Sequence, residues 1–331
     1  MARPDMIIEG FHARIPLQPH QMTTRVTPRE DMIVLCHLGV PRIDVATWRL
    51  TIEGMVKRPI QLSLDDLKQC RQTTICAVHQ CAGSPLKPEA PTRRITNVAW
   101  TGVRLRDLLA LCGVADGASH AWSYGADAGT FHDTIVDAYL KDMPLTRVDQ
   151  DVVIALQLNG APLPPENGFP ARLVVPGFYG TNSVKWITRI CLADRRAESP
   201  FTTRWYNDPE VGADGEPTGR TTPVWSIAPE SVIVSPAPDC LHVAGRRVPV
   251  WGWAWADGQV AAVEISADGG TTWADAHLEC GQGRGWQQFT FDWTPTRGTT
   301  RLTSSARSIS GLAQPLSGRR NAVHVVPVQV E

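Results

Sequence analysis

A change of rhythm a little beyond residue 200 limits the fold of this chain more than any other feature. Residues 200–225 are rich in Asp, Gly, Pro and Thr and carry little apolar content. After them come short segments in which apolar and polar residues alternate: Ser231–Val234, Val248–Ala256, Val260–Ser266, Trp286–Trp293, Thr300–Ser305 and Val323–Val330. Alternation puts every second side chain on one face of a strand, so each segment has one face to bury. Turn chemistry such as Asp268-Gly-Gly separates them. Strands at this spacing predict an antiparallel β-sandwich of immunoglobulin-like size.

The preceding part reads differently. Trp48-Arg-Leu-Thr-Ile alternates as a strand. Ser63-Leu-Asp-Asp-Leu opens a short helix, with Ser63 as N-cap and Asp66 closing the capping box. Thr73–Gln80 reads as a strand that runs into a loop at Cys81–Pro91, and Leu105–Cys112 as a helix stopped by Gly113. Val152–Leu158, Arg172–Val175 and Val184–Leu192 are strand-like, whereas residues 1–45 look irregular. The fold class is therefore α+β, with a first domain over 1–206, a linker over 207–224 and a sandwich over 225–331.

Composition excludes several functions. The 331 residues carry a formal net charge of −1, which gives no electrostatic reason to bind nucleic acid or an anionic membrane. No apolar run is long enough to span a bilayer. Met1-Ala-Arg-Pro-Asp is followed by no apolar stretch, and no Arg-Arg pair precedes Arg93, so an export signal is not expected. The eight cysteines are scattered, as free thiols of a cytoplasmic protein would be; periplasmic placement would need a leader ahead of this sequence.

Two clusters carry candidate chemistry. Cys76 and Cys81 stand in a C-x4-C spacing with His79 between them, but no second pair follows to complete a structural zinc site. Cys81 follows a strand and precedes Ala82-Gly83-Ser84, small residues that let a bulky group approach a soft thiolate. The second cluster is Asn167-Gly-Phe-Pro-Ala-Arg172 with Val175-Pro-Gly-Phe-Tyr-Gly-Thr-Asn-Ser-Val-Lys-Trp186. Its Gly-rich turn, with Arg172 and Lys185, reads either as an anion pocket or as a surface loop with solvated cations. No G-x-G-x-x-G opens a helix and no Walker lysine motif occurs, which disfavours a dinucleotide or nucleoside triphosphate.

At these residues the sequence resembles the sulfite oxidase family of molybdopterin oxidoreductases. The resemblance runs from about Thr27 onward and rests on four stretches: Thr27–Pro41; His79-Gln-Cys-Ala-Gly83 with Trp100-Thr-Gly-Val-Arg-Leu105; Arg172-Leu-Val-Val-Pro-Gly177 through Ser183-Val-Lys-Trp186; and Gly252-Trp-Ala-Trp255 with Val263–Trp273 and Gln314-Pro. It implies a sulfite-oxidase-type cofactor domain followed by a dimerisation domain. It implies molybdenum held by molybdopterin, with Cys81 as the protein's metal ligand. His37, Asp127, Asn167, Arg172, Ser183, Val184 and Lys185 fall at pterin-binding positions, and Tyr206 at that of an active-site tyrosine. The implied activity is oxygen-atom transfer involving a small sulfur oxyanion, sulfite by default, with electrons leaving to a separate redox protein such as a cytochrome. A homodimer is implied as well.

Departures cluster on the substrate side. Leu35 stands where the family has an anion-gripping arginine, Cys36 where it has Asn, Asn167 where it has His, and Ser84-Pro85-Leu86 where it has Asn-Arg-Arg. Tyr206 lacks its usual Asp and Lys neighbours. Arg319 or Arg320 is a candidate replacement cation; the plainer expectation is two solvated surface charges. The departures leave two other readings in place: a related enzyme for a less charged substrate (an organic sulfur compound or a sulfoxide), and a cofactor-free binding or assembly module on the same fold.

Overall fold

The computed structural model describes residues 5–14, 17–84, 93–148, 151–212, 216–317 and 320–331. The chain forms two compact units. One gathers Met1–Arg14, Ile33–Ile75 and Ala99–Trp225; the other gathers Ile15–Met32, Cys76–Val98 and Ser226–Glu331. Segments 15–32 and 76–98 thus cluster with the C-terminal third, a grouping that the linear sequence does not reveal.

The first unit is built on a mixed five-stranded sheet, in the order Leu140–Pro144, His120–Gly125, Ile187–Ala193, Leu50–Gly54, Ile60–Leu62. Ile187–Ala193 runs parallel to Leu50–Gly54 and antiparallel to His120–Gly125. Val153–Leu158 anchors a second sheet, pairing with Ala161–Pro162, Arg172–Val174 and the end of Ile95–Arg104. Leu105–Cys112 is a helix because Leu105, Leu108, Leu109 and Cys112 recur at helical spacing and are all buried. It ends at Gly113, whose φ of +68° suits glycine. Helix Leu64–Gln69 starts as expected: Ser63 Oγ accepts from Asp66 N (3.1 Å) and Asp66 Oδ2 accepts from Ser63 N (2.8 Å).

Three backbone hydrogen bonds tie together the segments that later matter. Leu173 N donates to Val184 O (2.8 Å), Ile187 N to Ala171 O (3.0 Å) and Ala126 N to Trp186 O (2.9 Å). They fix residues 126, 171–173 and 184–187 as one scaffold.

The second unit contains two four-stranded antiparallel sheets. One runs Glu230–Ser235, Val248–Trp255, Gln287–Trp293, His277–Leu278; the other runs Ala274–Asp275, Val260–Ser266, Arg301–Ser308, Val325–Pro327. Ile233, Val250 and Phe289 of the first meet Val263, Ile265, Leu302 and Val326 of the second in one buried core. Gly252 is required there: a Cβ at that position would lie 1.9 Å from Val232 O. Of the tryptophans, Trp253, Trp255, Trp286 and Trp293 are buried within the chain.

Two expectations need correction. The stretch 207–224 is not a plain linker: Asn207–Val211 pairs antiparallel with Pro217–Pro223. The second strand is almost wholly exposed, so no hydrophobic alternation marks it in the sequence. Residues 1–45 are less irregular than read, because Met6–Glu9 pairs with Gly39–Pro41 and His12–Ala13 with Leu35–Cys36. These pairings are long-range and leave no local signal.

Phe289 is fully buried in the sandwich core. Phe289→Ala is expected to lower the unfolding free energy of that unit by about 3–5 kcal/mol, read from denaturant titration.

Candidate active site

In the first unit the scaffold just described carries two cations, Arg172 buried and Lys185 half-buried. Arg172, 3% exposed, donates from Nη1 to Asn167 O (3.2 Å) and from Nη2 to Ser183 O (2.8 Å). Its guanidinium lies 5.0 Å from the Trp100 ring centre. Lys185 Nζ donates to Leu35 O (2.9 Å), Cys36 Sγ (2.8 Å) and Glu166 O (3.1 Å). Burial lowers the pKa of both, that of Arg172 to about 9. Taking two like charges out of water costs free energy that carbonyl partners only partly offset.

Asp127 is buried close by. Burial pushes its carboxyl up to about 7, with Lys185 pulling the other way. Its Oδ1 has no hydrogen-bond partner among the described residues. Ser183 Oγ accepts from Val175 N (3.0 Å), and Val184 is buried with its carbonyl on Leu173 N. Two glycines keep the place open: a Cβ on Gly125 would lie 2.3 Å from Asp127 Oδ1, and one on Gly168 would lie 3.0 Å from Arg172 Cβ and 3.1 Å from Lys185 Cβ.

An aromatic group adjoins this cradle. Tyr206 Oη and His37 Nε2 share a hydrogen bond of 2.5 Å. His37 stacks on Tyr139 and meets Phe131 and Phe201 edge-on. Burial drives the His37 pKa down to about 3, helped by Lys185, His132 and Lys141, so the ring is neutral at ordinary pH. Tyr206 has φ +59°, a left-handed backbone that a non-glycine residue adopts only where its surroundings hold it.

The structure thus links His37, Asp127, Asn167, Arg172, Ser183, Val184, Lys185 and Tyr206 within one unit. Sequence reasoning missed Lys141, buried at 1% exposure, with Nζ donating to Phe201 O (2.9 Å) and lying 5.3 Å from the Tyr206 ring centre. Burial lowers its pKa to about 8. A lysine in strand Leu140–Pro144 reads as solvent-facing, so the sequence gave no hint of this. Cys36 was noticed only as a departure; its sulfur is a hydrogen-bond partner of Lys185.

Cys81 belongs to the second unit. It follows strand Gln72–Gln80 and is half-buried. Its N–H donates to Arg94 O (2.9 Å), and Gly83 N donates to its Sγ (3.4 Å). Burial raises the thiol pKa, against the pull of Gly83 N–H, Arg94 and Arg320. Arg320 is half-buried and donates from Nε to Ala82 O (2.6 Å), so it is not the solvated surface charge expected. Pro85, Leu86 and Arg319 lie outside the described residues. Cys76 Sγ accepts from Asn97 Nδ2 (3.3 Å), and all eight cysteines are free thiols.

Residues 37–201 match the oxidoreductase molybdopterin binding domain, and residues 221–298 the Mo-co oxidoreductase dimerisation domain. Mitochondrial sulfite oxidase of Mus musculus is 31% identical over 296 residues, covering 83% of this chain and 51% of that protein. A nitrate reductase of Hordeum vulgare is 31% identical over 303 residues, covering 81% of this chain and 33% of that protein. The sulfane dehydrogenase SoxCD from Paracoccus pantotrophus superposes with a TM-score of 0.77 at 28% identity, covering 94% of this chain and 85% of that one. The chain belongs to the sulfite oxidase family. It spans about half the length of the first sulfite oxidases it matches.

The residues present fit the molybdenum cofactor of that family. Buried Arg172 and Lys185 suit its anionic phosphate, and the unpartnered Asp127 Oδ1 suits a ring N–H. Among the described residues no group of three or more His, Cys, Asp or Glu side chains could hold a metal. Within the second unit Cys81 is a free thiol, a soft donor of the kind a transition metal takes.

Asp127 gives a testable pH dependence. A carboxyl whose folded pKa is raised from 3.8 to about 7 adds stability that is full below pH 3.8 and lost as pH rises through 7. In cofactor-free protein, Asp127→Asn is therefore expected to match wild type near pH 4. Above pH 7 it is expected to be more stable by up to about 4 kcal/mol, measured by denaturant midpoints. Equal midpoints at every pH would show that the carboxyl ionises at no cost.

Proposed function

We propose that this chain is a molybdenum-cofactor oxidoreductase that transfers an oxygen atom in the oxidation of sulfite or a similar sulfur oxyanion and passes electrons to a separate redox protein. The observation that carries this reading is the pair of cations, buried Arg172 and half-buried Lys185, beside an unpartnered buried Asp127 oxygen. A binding module without cofactor has no use for such a pair, and burying it without an anion costs stability.

In this reading Arg172, Lys185, Asp127, Asn167, Ser183 and Val184 hold the cofactor, with His37 at its edge, and Cys81 is the metal's protein ligand. The cofactor supplies the oxygen-atom transfer itself. Tyr206 holds a proton on Oη; neutral His37 keeps Nε2 available to that hydroxyl and so orients it. The aromatic wall of Phe131, Tyr139 and Phe201 keeps water from the pair.

A less charged substrate is the second reading, and Leu35 favours it. The family's arginine is absent at this position, and the Leu35 carbonyl is engaged by Lys185. Losing a charged clamp costs about 1.5–3 kcal/mol per hydrogen bond to an oxyanion. The structurally similar protein named as a sulfane dehydrogenase supports a sulfur-centred substrate other than free sulfite.

We also propose a homodimer formed through the C-terminal domain, with an immunoglobulin-like sandwich from about residue 225 and a catalytic domain through about 206. The matched dimerisation domain and the two packed four-stranded sheets support this. No helix among the described residues is long and apolar enough to cross a membrane. Eight free thiols suit a reducing compartment such as the cytoplasm.

Molybdenum per chain, measured by mass spectrometry on protein from a host that makes the cofactor, tests the reading together with a sulfite assay using an artificial acceptor. Near-stoichiometric metal with sulfite turnover is expected. Metal without turnover favours the less charged substrate, and no metal contradicts the proposal. Leu35→Arg is expected to lower KM for sulfite by roughly tenfold, in line with one restored charged contact; an unchanged KM would show that Leu35 does not occupy the clamp position.

A further inference from the structure

Cys81 is held from both sides, and both routes end on one residue. Gln80, the last residue of strand Gln72–Gln80, is fully buried. Its Nε2 donates to Glu230 Oε2 (2.5 Å) and Asn321 Oδ1 (3.2 Å), and its Oε1 accepts from Trp255 Nε1 (2.9 Å). On the returning side, Arg93 Nε donates to Glu230 Oε1 (2.8 Å), with both side chains at 0% exposure. The next residue, Arg94, accepts the Cys81 N–H at its carbonyl. One carboxylate therefore spends one oxygen on each flank of the cysteine.

A fully buried ion pair adds little net stability, because desolvation offsets most of the attraction. An apolar pair of the same volume would pack as well. What such a pair does supply is a fixed geometry: its partners have few other arrangements that leave no buried polar atom unmet. The rigid element here is strand Glu230–Ser235, on which Glu230 sits as the first residue.

We propose that Glu230 is a positioning residue for the Cys81 thiolate: through Gln80 and Arg93 it fixes the segment that presents the metal's protein ligand. The inference rests on Cys81 being that ligand and deepens that reading. It leaves cofactor chemistry untouched and concerns only how the sulfur is held.

The test uses the full chain in two forms, with and without cofactor. In cofactor-free protein the alkylation rate of Cys81 by iodoacetamide is followed by peptide mass spectrometry, with exposed Cys280 as internal reference. Glu230→Gln keeps the shape but strands a buried guanidinium. A second variant, Glu230→Leu with Arg93→Met, removes the pair altogether and keeps the test open if the first fails to fold. The expected result in the folded variant is a Cys81 rate raised roughly tenfold over that of Cys280, from local opening of the segment, with less molybdenum retained per chain. A folded variant whose Cys81 rate equals that of wild type would overturn the proposal. Failure of the ligand reading is separate: it would show as an unchanged sulfur shell around molybdenum in loaded Cys81→Ser, whatever the labelling rates.

Discussion

Arg172, buried, and Lys185, half-buried, sit on a scaffold of backbone hydrogen bonds, and the candidate site is built around them. The hydrogen bonds named for them end on the carbonyls of Leu35, Glu166, Asn167 and Ser183 and on the sulfur of Cys36. Such partners satisfy N–H groups without neutralising charge, so the local potential stays positive. Burial pushes both cations toward their neutral forms and Asp127 toward its protonated form. A site in which three buried groups are all displaced from their usual ionisation is organised for an anion with ring donors. Burial first, with help from Lys185, keeps His37 neutral, and its Nε2 is paired with Tyr206.

The thiol of Cys81 is prepared differently. Burial raises its pKa while Gly83 N–H and two arginines lower it. The surrounding segment is fixed by Arg320 on Ala82 O and by the buried polar group around Gln80.

Much of this was legible in the sequence, for reasons that differ by element. The helix Leu105–Cys112, the capping box at Ser63 and the strand Val260–Ser266 fell where local periodicity and capping put them. Arg172 and Lys185 stood out as cations in a glycine-rich turn that could equally be a surface loop, and Ser183 was singled out only by the family resemblance. Lys141, Cys36 and Glu230 were not legible, since each is defined by a partner far along the chain: Phe201, Lys185 and Gln80. A lone charged residue in a strand reads as solvent-facing until its partner is known. The exposed ribbon at 207–223 was lost for the opposite reason, having no buried face to leave a pattern.

The substrate side shows the clearest departure from the family, with Leu35 and Cys36 where charge and amide are expected; on the cofactor side Asn167 stands where the family has His. Both parts of this account depend on Cys81 binding the metal. X-ray absorption at the molybdenum edge, on the loaded wild-type protein and on Cys81→Ser, tests that most directly. The account predicts one sulfur fewer around molybdenum in the variant. An unchanged sulfur shell would contradict it.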